Sequence, residues 1–293
     1  MTSNIRSAII AEGGGQKGIF TAGVLDAFLE KKFTPFDLKV GVSAGAQNLA
    51  AYCARASQYA QTAIESLTTE QQFFRPARFF TGGNVIDLDW YFQQVEHSGK
   101  VRFPTKPNHL TPESNFYAVA SHLDSLEPHY LHTWHDNMFT HLKASSAIPF
   151  LYRPGVKVAG HGMMDGGVAD PLPVRWAHSQ GAKTIWVIRT IEAHDDGKMP
   201  VLERLKPIMR RVNQSPRMFE MYHHYQSRYA DAVNFMNSPP EDVNVIQIAP
   251  NRPLGSMVLG SSPETLKSDY KLGFELGLKA VDKWRDMLEV SVM

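Results

Sequence analysis

The sequence predicts an α/β fold, a parallel sheet covered by helices, on three observations. A short apolar run at residues 5–11 leads into a glycine turn at 13–18 and then a helix at 19–32. The same strand–turn–helix unit follows at once, with a second strand at 36–42 and an alanine-rich helix from 44 to about 64. Further strand-like runs then alternate with helical periodicity, the pattern of a sheet whose neighbouring strands run the same way.

The elements follow in order. In the first helix Val24, Leu25, Phe28 and Leu29 recur at helical spacing. Later strands are expected at 116–120, 156–159, 184–189 and 243–248, with helices at 172–180 and 201–212. A last helix is expected at 263–287, where Leu266, Tyr270, Phe274, Leu278 and Val281 share one face. No internal repeat, low-complexity tract or long linker divides the chain, so one domain is expected over residues 1–293. Residues 71–92 are less regular and rich in aromatics, among them Phe73, Phe74, Phe79, Phe80, Trp90, Tyr91 and Phe92. Aromatic clusters are most often core; an acyl-chain pocket or a lid over the active site is the sharper alternative.

Composition narrows the function classes. Lysine plus arginine (30) exceeds aspartate plus glutamate (29) by one, which leaves no electrostatic footprint for nucleic acid. Cys53 is the one cysteine, so no internal disulfide forms, and its small neighbours Ala50, Ala51 and Ala54 point to a buried thiol. The first apolar run is too short for a signal peptide or a spanning helix, and no later stretch is long enough. A cytoplasmic protein is expected, with peripheral membrane contact left open.

Two turns carry chemistry. Gly13-Gly14-Gly15-Gln16-Lys17-Gly18 follows a strand and opens a helix, so its backbone N–H groups can face an anion, either a pyrophosphate or a tetrahedral oxyanion. The dinucleotide reading wants an acid at the end of the second strand. Glu30 and Asp37 come before that strand, and its end runs instead into Gly41-Val42-Ser43-Ala44-Gly45. This second turn is G-x-S-x-G, the strained elbow that projects a nucleophilic serine, and a serine N-cap suits the position equally well. Turns at the carboxyl ends of adjacent strands converge on one crevice.

A serine nucleophile needs a base. His178, His194, His223 and His224 are available, but none lies in a recognisable turn. His129, His132 and His135 recur at intervals of three, as metal ligands can, without a supporting acidic motif. Asp165 is the better candidate, in Met163-Met164-Asp165-Gly166-Gly167-Val168-Ala169-Asp170-Pro171, because two glycines present the carboxylate where the backbone turns. From the tripeptide alone an Asx-turn is the simpler reading.

The ordered trio of Gly13–Gly18, Gly41–Gly45 and Asp165-Gly166-Gly167 resembles the patatin-like phospholipases. Ala144-Ser145-Ser146-Ala147-Ile148-Pro149 is similar to the segment that precedes the aspartate in that family. The resemblance spans about residues 5–190, leaving a helical extension at about 200–293. It implies a three-layer α/β/α fold with a mostly parallel central sheet, and a Ser43–Asp165 dyad without histidine, metal or cofactor. The expected substrates are acyl esters of phospholipids, lysophospholipids or neutral lipids. The oxyanion would be held by N–H groups around Gly13, Gly14, Gly15 and Ala44; Lys17, Gly18, Gly41, Gly45, Gly166 and Gly167 complete the motifs. Lys17 stands where the family more usually has arginine, Asp170 where many members have asparagine, and Gly167 where many have alanine. Competing readings are a nucleotide binder using the glycine loop and a lipid-binding pseudoenzyme.

A membrane partner has one sequence candidate. Val201, Leu205, Ile208, Met209 and Val212 share a helical face, with Arg204, Lys206, Arg210, Arg211 and Arg217 supplying basic charge. Such a helix packs on the sheet with its basic side in water or lies on an anionic bilayer. Pro207 interrupts it.

Overall fold

A computed structural model describes residues 5–97, 101–104, 110–195, 197 and 216–292. The proposed basic helix at 201–212 lies outside the described residues, as does any contact it makes.

Eight strands form one mixed sheet in the order β5-β6-β3-β2-β1-β7-β8, with β4 also paired to β3. The strands are β1 (Ser7–Ala11), β2 (Leu38–Val42), β3 (Phe116–His122), β4 (Pro128–His132), β5 (Val156–Val158), β6 (His161–Asp165), β7 (Thr184–Ile188) and β8 (Asn244–Ile248). Neighbouring pairs among β3, β2, β1, β7 and β8 are parallel, whereas β4 and β6 pair antiparallel to β3, and β5 antiparallel to β6. The chain builds outward from β1 through β2 to β3, then returns to the other side of β1 as β7. Loops leaving β1 and β7 therefore open a crevice between them.

The helices are α1 (Gly18–Glu30), α2 (Ala44–Cys53), α3 (Tyr59–Leu67), α4 (Leu88–His97), α5 (Met138–Ser145), α6 (Val174–Ser179), α7 (Pro216–Asn237) and α8 (Pro263–Val292). Alternation along β1 splits the core into two. Ile9 and Ala11 join Phe20, Val24, Phe28 and Leu49 on one face. Ala8 and Ile10 join Val174, Tyr229, Ala232 and Phe235 on the other. Helices α1, α2 and α8 thus cover one side of the sheet and α6 and α7 the other, the expected three layers. Helices α1 and α8 approach closely enough that a Cβ on Gly23 would lie 2.2 Å from the Tyr270 carbonyl oxygen.

The expected long helix at 44–64 is two helices. Arg55 and Gln58 take positive φ (56° and 61°) between α2 and α3, and Asp26 accepts the Gln58 N–H at 3.0 Å. The metal-like spacing of His129, His132 and His135 also resolves differently. The first two lie on β4, where residues three apart point to opposite faces. His129 stacks on His122, and His132 stacks on Tyr117. Among the described residues no group of three or more His, Cys, Asp or Glu can hold a metal ion. Cys53 is buried, and burial pushes its thiol up to about 11. Among the described residues no helix is long and apolar enough to cross a membrane.

Candidate active site

Sheet register brings the motifs to one level. Ala11 pairs with Gly41, Val42 with Val119, and Ala120 with Asp165. Continuing one or two residues past these pairs sets Gly13, Ser43, Ala120 and Asp165 abreast. The contact is tight, since a Cβ on Gly13 would stand 3.1 Å from that of Ser43.

Ser43 takes φ 53° and ψ −124° between β2 and α2. A non-glycine residue there costs on the order of 1–3 kcal/mol and persists only where its surroundings enforce it. The enforcement is steric and polar. A Cβ on Gly45 would meet the Ala11 carbonyl oxygen at 2.2 Å, and one on Gly41 the Ala46 Cα at 2.4 Å; only glycine lets the elbow press this close to β1. The Ser43 N–H donates to Ser145 Oγ at 2.9 Å, and Ser145 is wholly buried.

Asp165 ends β6. Its N–H donates to the Ala147 carbonyl at 3.0 Å, so residues 145–147 brace both Ser43 and Asp165. Buried Ser121 donates to the Asp165 carbonyl at 2.7 Å and accepts the Ala169 N–H at 3.0 Å, fixing the turn. The carboxylate accepts the Gly167 N–H at 2.8 Å. Burial pushes its pKa up to about 6, against the downward pull of the Ser43 hydroxyl and the Gly167 N–H. Among the described residues no cation contributes. Asp170 lies nearby, its pKa also raised to about 6 by burial, and it accepts Tyr130 OH at 2.7 Å.

The glycine loop forms the other side. Gly14 and Gly15 have φ 147° and 57°, which turn the chain into the short 3₁₀ turn Gly15–Lys17 ahead of α1. Lys17 sits at the N-cap of α1, and Asn48 of α2 donates to the Gly18 carbonyl at 2.8 Å. The N–H groups of Gly13, Gly14, Gly15 and Ala44 have no hydrogen-bond acceptor among the described residues, so they are open to an anion beside Ser43.

Sequence reasoning missed what holds this loop. Glu12 is buried, and its carboxylate accepts the Thr190 N–H and Tyr229 OH at 2.5 and 2.7 Å. Wholly buried Arg189 donates to Tyr229 OH at 3.0 Å, and Thr190 Oγ1 donates to the Gly13 carbonyl at 2.9 Å. Burial raises the Glu12 pKa, opposed by these hydrogen bonds and Arg189. From the C-terminal region, Val258 accepts the Gln16 N–H at 2.9 Å, and the Ser261 N–H donates to Gln16 Oε1 at 2.8 Å. An acid, a threonine and an arginine distant in sequence carry no local pattern that signals this cluster.

Ser43, Ala44 and Gly15 line an apolar cavity together with Tyr59, Phe73, Leu88, Tyr91, Val95 and Phe103. Residues 71–92 therefore do two things: Phe73, Tyr91 and Phe92 are buried and line the cavity, while Phe80 is exposed. Among the described residues no histidine lines it. His178 packs at a tilt against Phe235 of α7, and His223 and His224 lie on that helix. Asp37 accepts the Arg6 and Ser7 N–H groups at 3.0 Å each, at the amino ends of the strands, opposite the glycine loop.

The fold, the elbow and the apolar cavity define a lipid ester hydrolase. The sequence matches the patatin-like phospholipase family over residues 9–178, and a domain of unknown function (DUF6363) over residues 215–289. It is 40% identical over 268 residues to the uncharacterized protein YjjU of Escherichia coli (strain K12), spanning 92% of this chain and 75% of that protein. A solved structure of VipD from Legionella pneumophila is similar at a TM-score of 0.47 and 13% identity, over 96% of this chain and 67% of that one; a likeness at that level adds no weight. The chain belongs to the patatin-like phospholipase family.

Proposed function

We propose that the protein hydrolyses carboxylic esters of lipids with Ser43 as nucleophile and Asp165 as its base. One observation carries this reading: a buried carboxylate with no cationic partner among the described residues faces the hydroxyl of a strained serine that lines an apolar cavity. The Asp165 carboxylate takes the Ser43 proton as Oγ attacks the ester carbonyl. The N–H groups of Gly14, Gly15 and Ala44 hold the oxyanion, and loss of one such donor typically costs about 10²–10³ in turnover. Collapse expels the alcohol, which takes the proton from Asp165 and leaves an acyl-serine. Water, deprotonated by Asp165, then attacks the acyl carbonyl, and Ser43 regains its proton as the fatty acid departs. The scheme routes no step through a metal or cofactor.

Phospholipids, lysophospholipids and neutral lipids all fit an apolar cavity that takes the acyl chain and leaves the head group outside. The chain works as one unit in this reading, because Tyr229, Val258 and Ser261 of the C-terminal region reach Glu12 and Gln16 beside the glycine loop. The test is hydrolysis of a soluble p-nitrophenyl ester and of a mixed lipid extract by the parent and by Ser43→Ala. Release of nitrophenol and fatty acid by the parent alone is expected. Equal release by folded Ser43→Ala would overturn the assignment.

A further inference from the structure

Three segments of the chain line the Ser43 cavity, and residues 73–86 touch both of the others, 148–153 and 257–260. Each supplies lining: Phe73 and Ile86, Ile148, and Leu259. The Ile86 N–H donates to the Leu151 carbonyl at 3.2 Å. Arg153 donates to the carbonyls of Gly82 and Phe79 at 2.9 and 3.4 Å and lies over the Phe79 ring. The Phe74 ring abuts Gly260.

These segments also carry Phe79, Phe80, Phe150, Met257 and Val258. Among the described residues, the other large exposed apolar side chains are only Met287 and Leu288, near the end of α8. Phe80 is 89% exposed and Met257 54%. Charge follows the same outline. Residues 71–86, 148–155 and 253–262 contain Arg75, Arg78 and Arg153 and no aspartate or glutamate. The two acids that follow the first segment are engaged: Asp87 accepts Gln72 Nε2 and the Trp90 N–H, and Asp89 pairs with Lys143 and Tyr152.

Scattered exposed hydrophobics need no explanation, but a concentration on the three segments that line one cavity marks an interaction surface. Its aromatic tip and arginine fringe match a membrane interface, where apolar rings enter the headgroup boundary and cations meet anionic lipid. We propose that this rim docks on an anionic phospholipid bilayer. Phe79 and Phe80 insert, Arg75, Arg78 and Arg153 meet lipid phosphates, and an acyl chain passes from the bilayer into the cavity without crossing water. The acyl passage rests on the hydrolase reading of Ser43; the docking does not need turnover.

The test is co-sedimentation of the full-length protein with vesicles of phosphatidylcholine alone or mixed with phosphatidylglycerol. The parent should bind the anionic vesicles more tightly than the neutral ones. Phe79→Ser combined with Phe80→Ser should weaken binding by at least about tenfold, the apolar area of one to two rings. Arg75→Glu should weaken it by about tenfold on anionic vesicles and leave neutral ones unaffected. Phe80→Ser alone serves as a second variant, and p-nitrophenyl ester hydrolysis by every folded variant should stay within about twofold of the parent. Equal vesicle binding by parent and variants, or no binding of the parent to anionic vesicles, overturns the docking surface. A folded parent that binds vesicles but hydrolyses no ester supports the docking and refutes the hydrolase reading instead.

Discussion

Two buried carboxylates flank the Ser43 level of the sheet, and they are used in opposite ways. Asp165 and Glu12 are both pushed up in pKa by burial. Glu12 spends both oxygens on Thr190 and Tyr229 beside the Arg189 guanidinium. Asp165 accepts one backbone N–H and otherwise faces the Ser43 hydroxyl, with no cation among the described residues to hold its charge. Burial alone therefore does not make a base. What distinguishes Asp165 is unspent acceptor capacity facing the Ser43 hydroxyl, as the proposed reaction needs, whereas Glu12 is a clamp that holds Thr190 against the glycine loop.

The largest contrast comes from removing each carboxylate. Asp165→Asn should lower turnover of a soluble ester by about 10²–10⁴-fold, the usual worth of a general base. The same change should stabilise the fold at pH 7. A carboxyl whose folded pKa is raised contributes stability that is present below its unfolded pKa near 3.8 and lost as pH rises through about 6. The amide escapes that loss, with a gain of up to about 3 kcal/mol for the two-unit shift. Glu12→Ala should do the reverse, destabilising by about 2–5 kcal/mol because the buried Thr190 N–H and Tyr229 OH lose their acceptor. Thermal melts of both variants at pH 7 check this; shifts of the same sign would erase the distinction.

Next in size is the pH dependence. In the proposed reaction only ionised Asp165 takes the serine proton, so kcat/KM should rise through about pH 6 and fall about tenfold from pH 7 to pH 5. Asp170 shares the raised pKa but is held by Tyr130, so Asp170→Asn should keep the inflection. A profile that flattens in Asp170→Asn would move the titration to the wrong carboxylate.

The smallest effect is expected at Ser145. Replacing it with alanine removes the acceptor of the Ser43 N–H, a loss of about 1–3 kcal/mol for a buried donor left unmade. Turnover should fall by roughly tenfold as the elbow loosens, while the apparent pKa of the profile stays put.

Much of this site was legible in the sequence, because glycine loop, elbow and Asp165 are each announced by small residues where the chain must turn or press close. The register that sets them abreast follows from two consecutive strand–turn–helix units. Other parts left no local trace. Strand β4 begins with a proline and carries histidines, is half-buried and sits beside β3, so it lacks the apolar alternation that marks a strand. The break between α2 and α3 rests on left-handed Arg55 and Gln58, neither a usual residue for that conformation. Ser145 was visible only as part of a segment, and its bond to the Ser43 N–H spans 102 positions. Glu12 joins Tyr229 across 217 positions.

The central claim, that Asp165 activates Ser43 without a histidine, is tested most directly by the rate at which a fluorophosphonate labels Ser43 as pH is varied. The account predicts a single rise near pH 6 in the parent, loss of labelling in Asp165→Asn, and retained labelling when His178, His194, His223 and His224 are each replaced by alanine. Labelling of Ser43 that persists in folded Asp165→Asn, or that vanishes with one folded histidine variant, would contradict it.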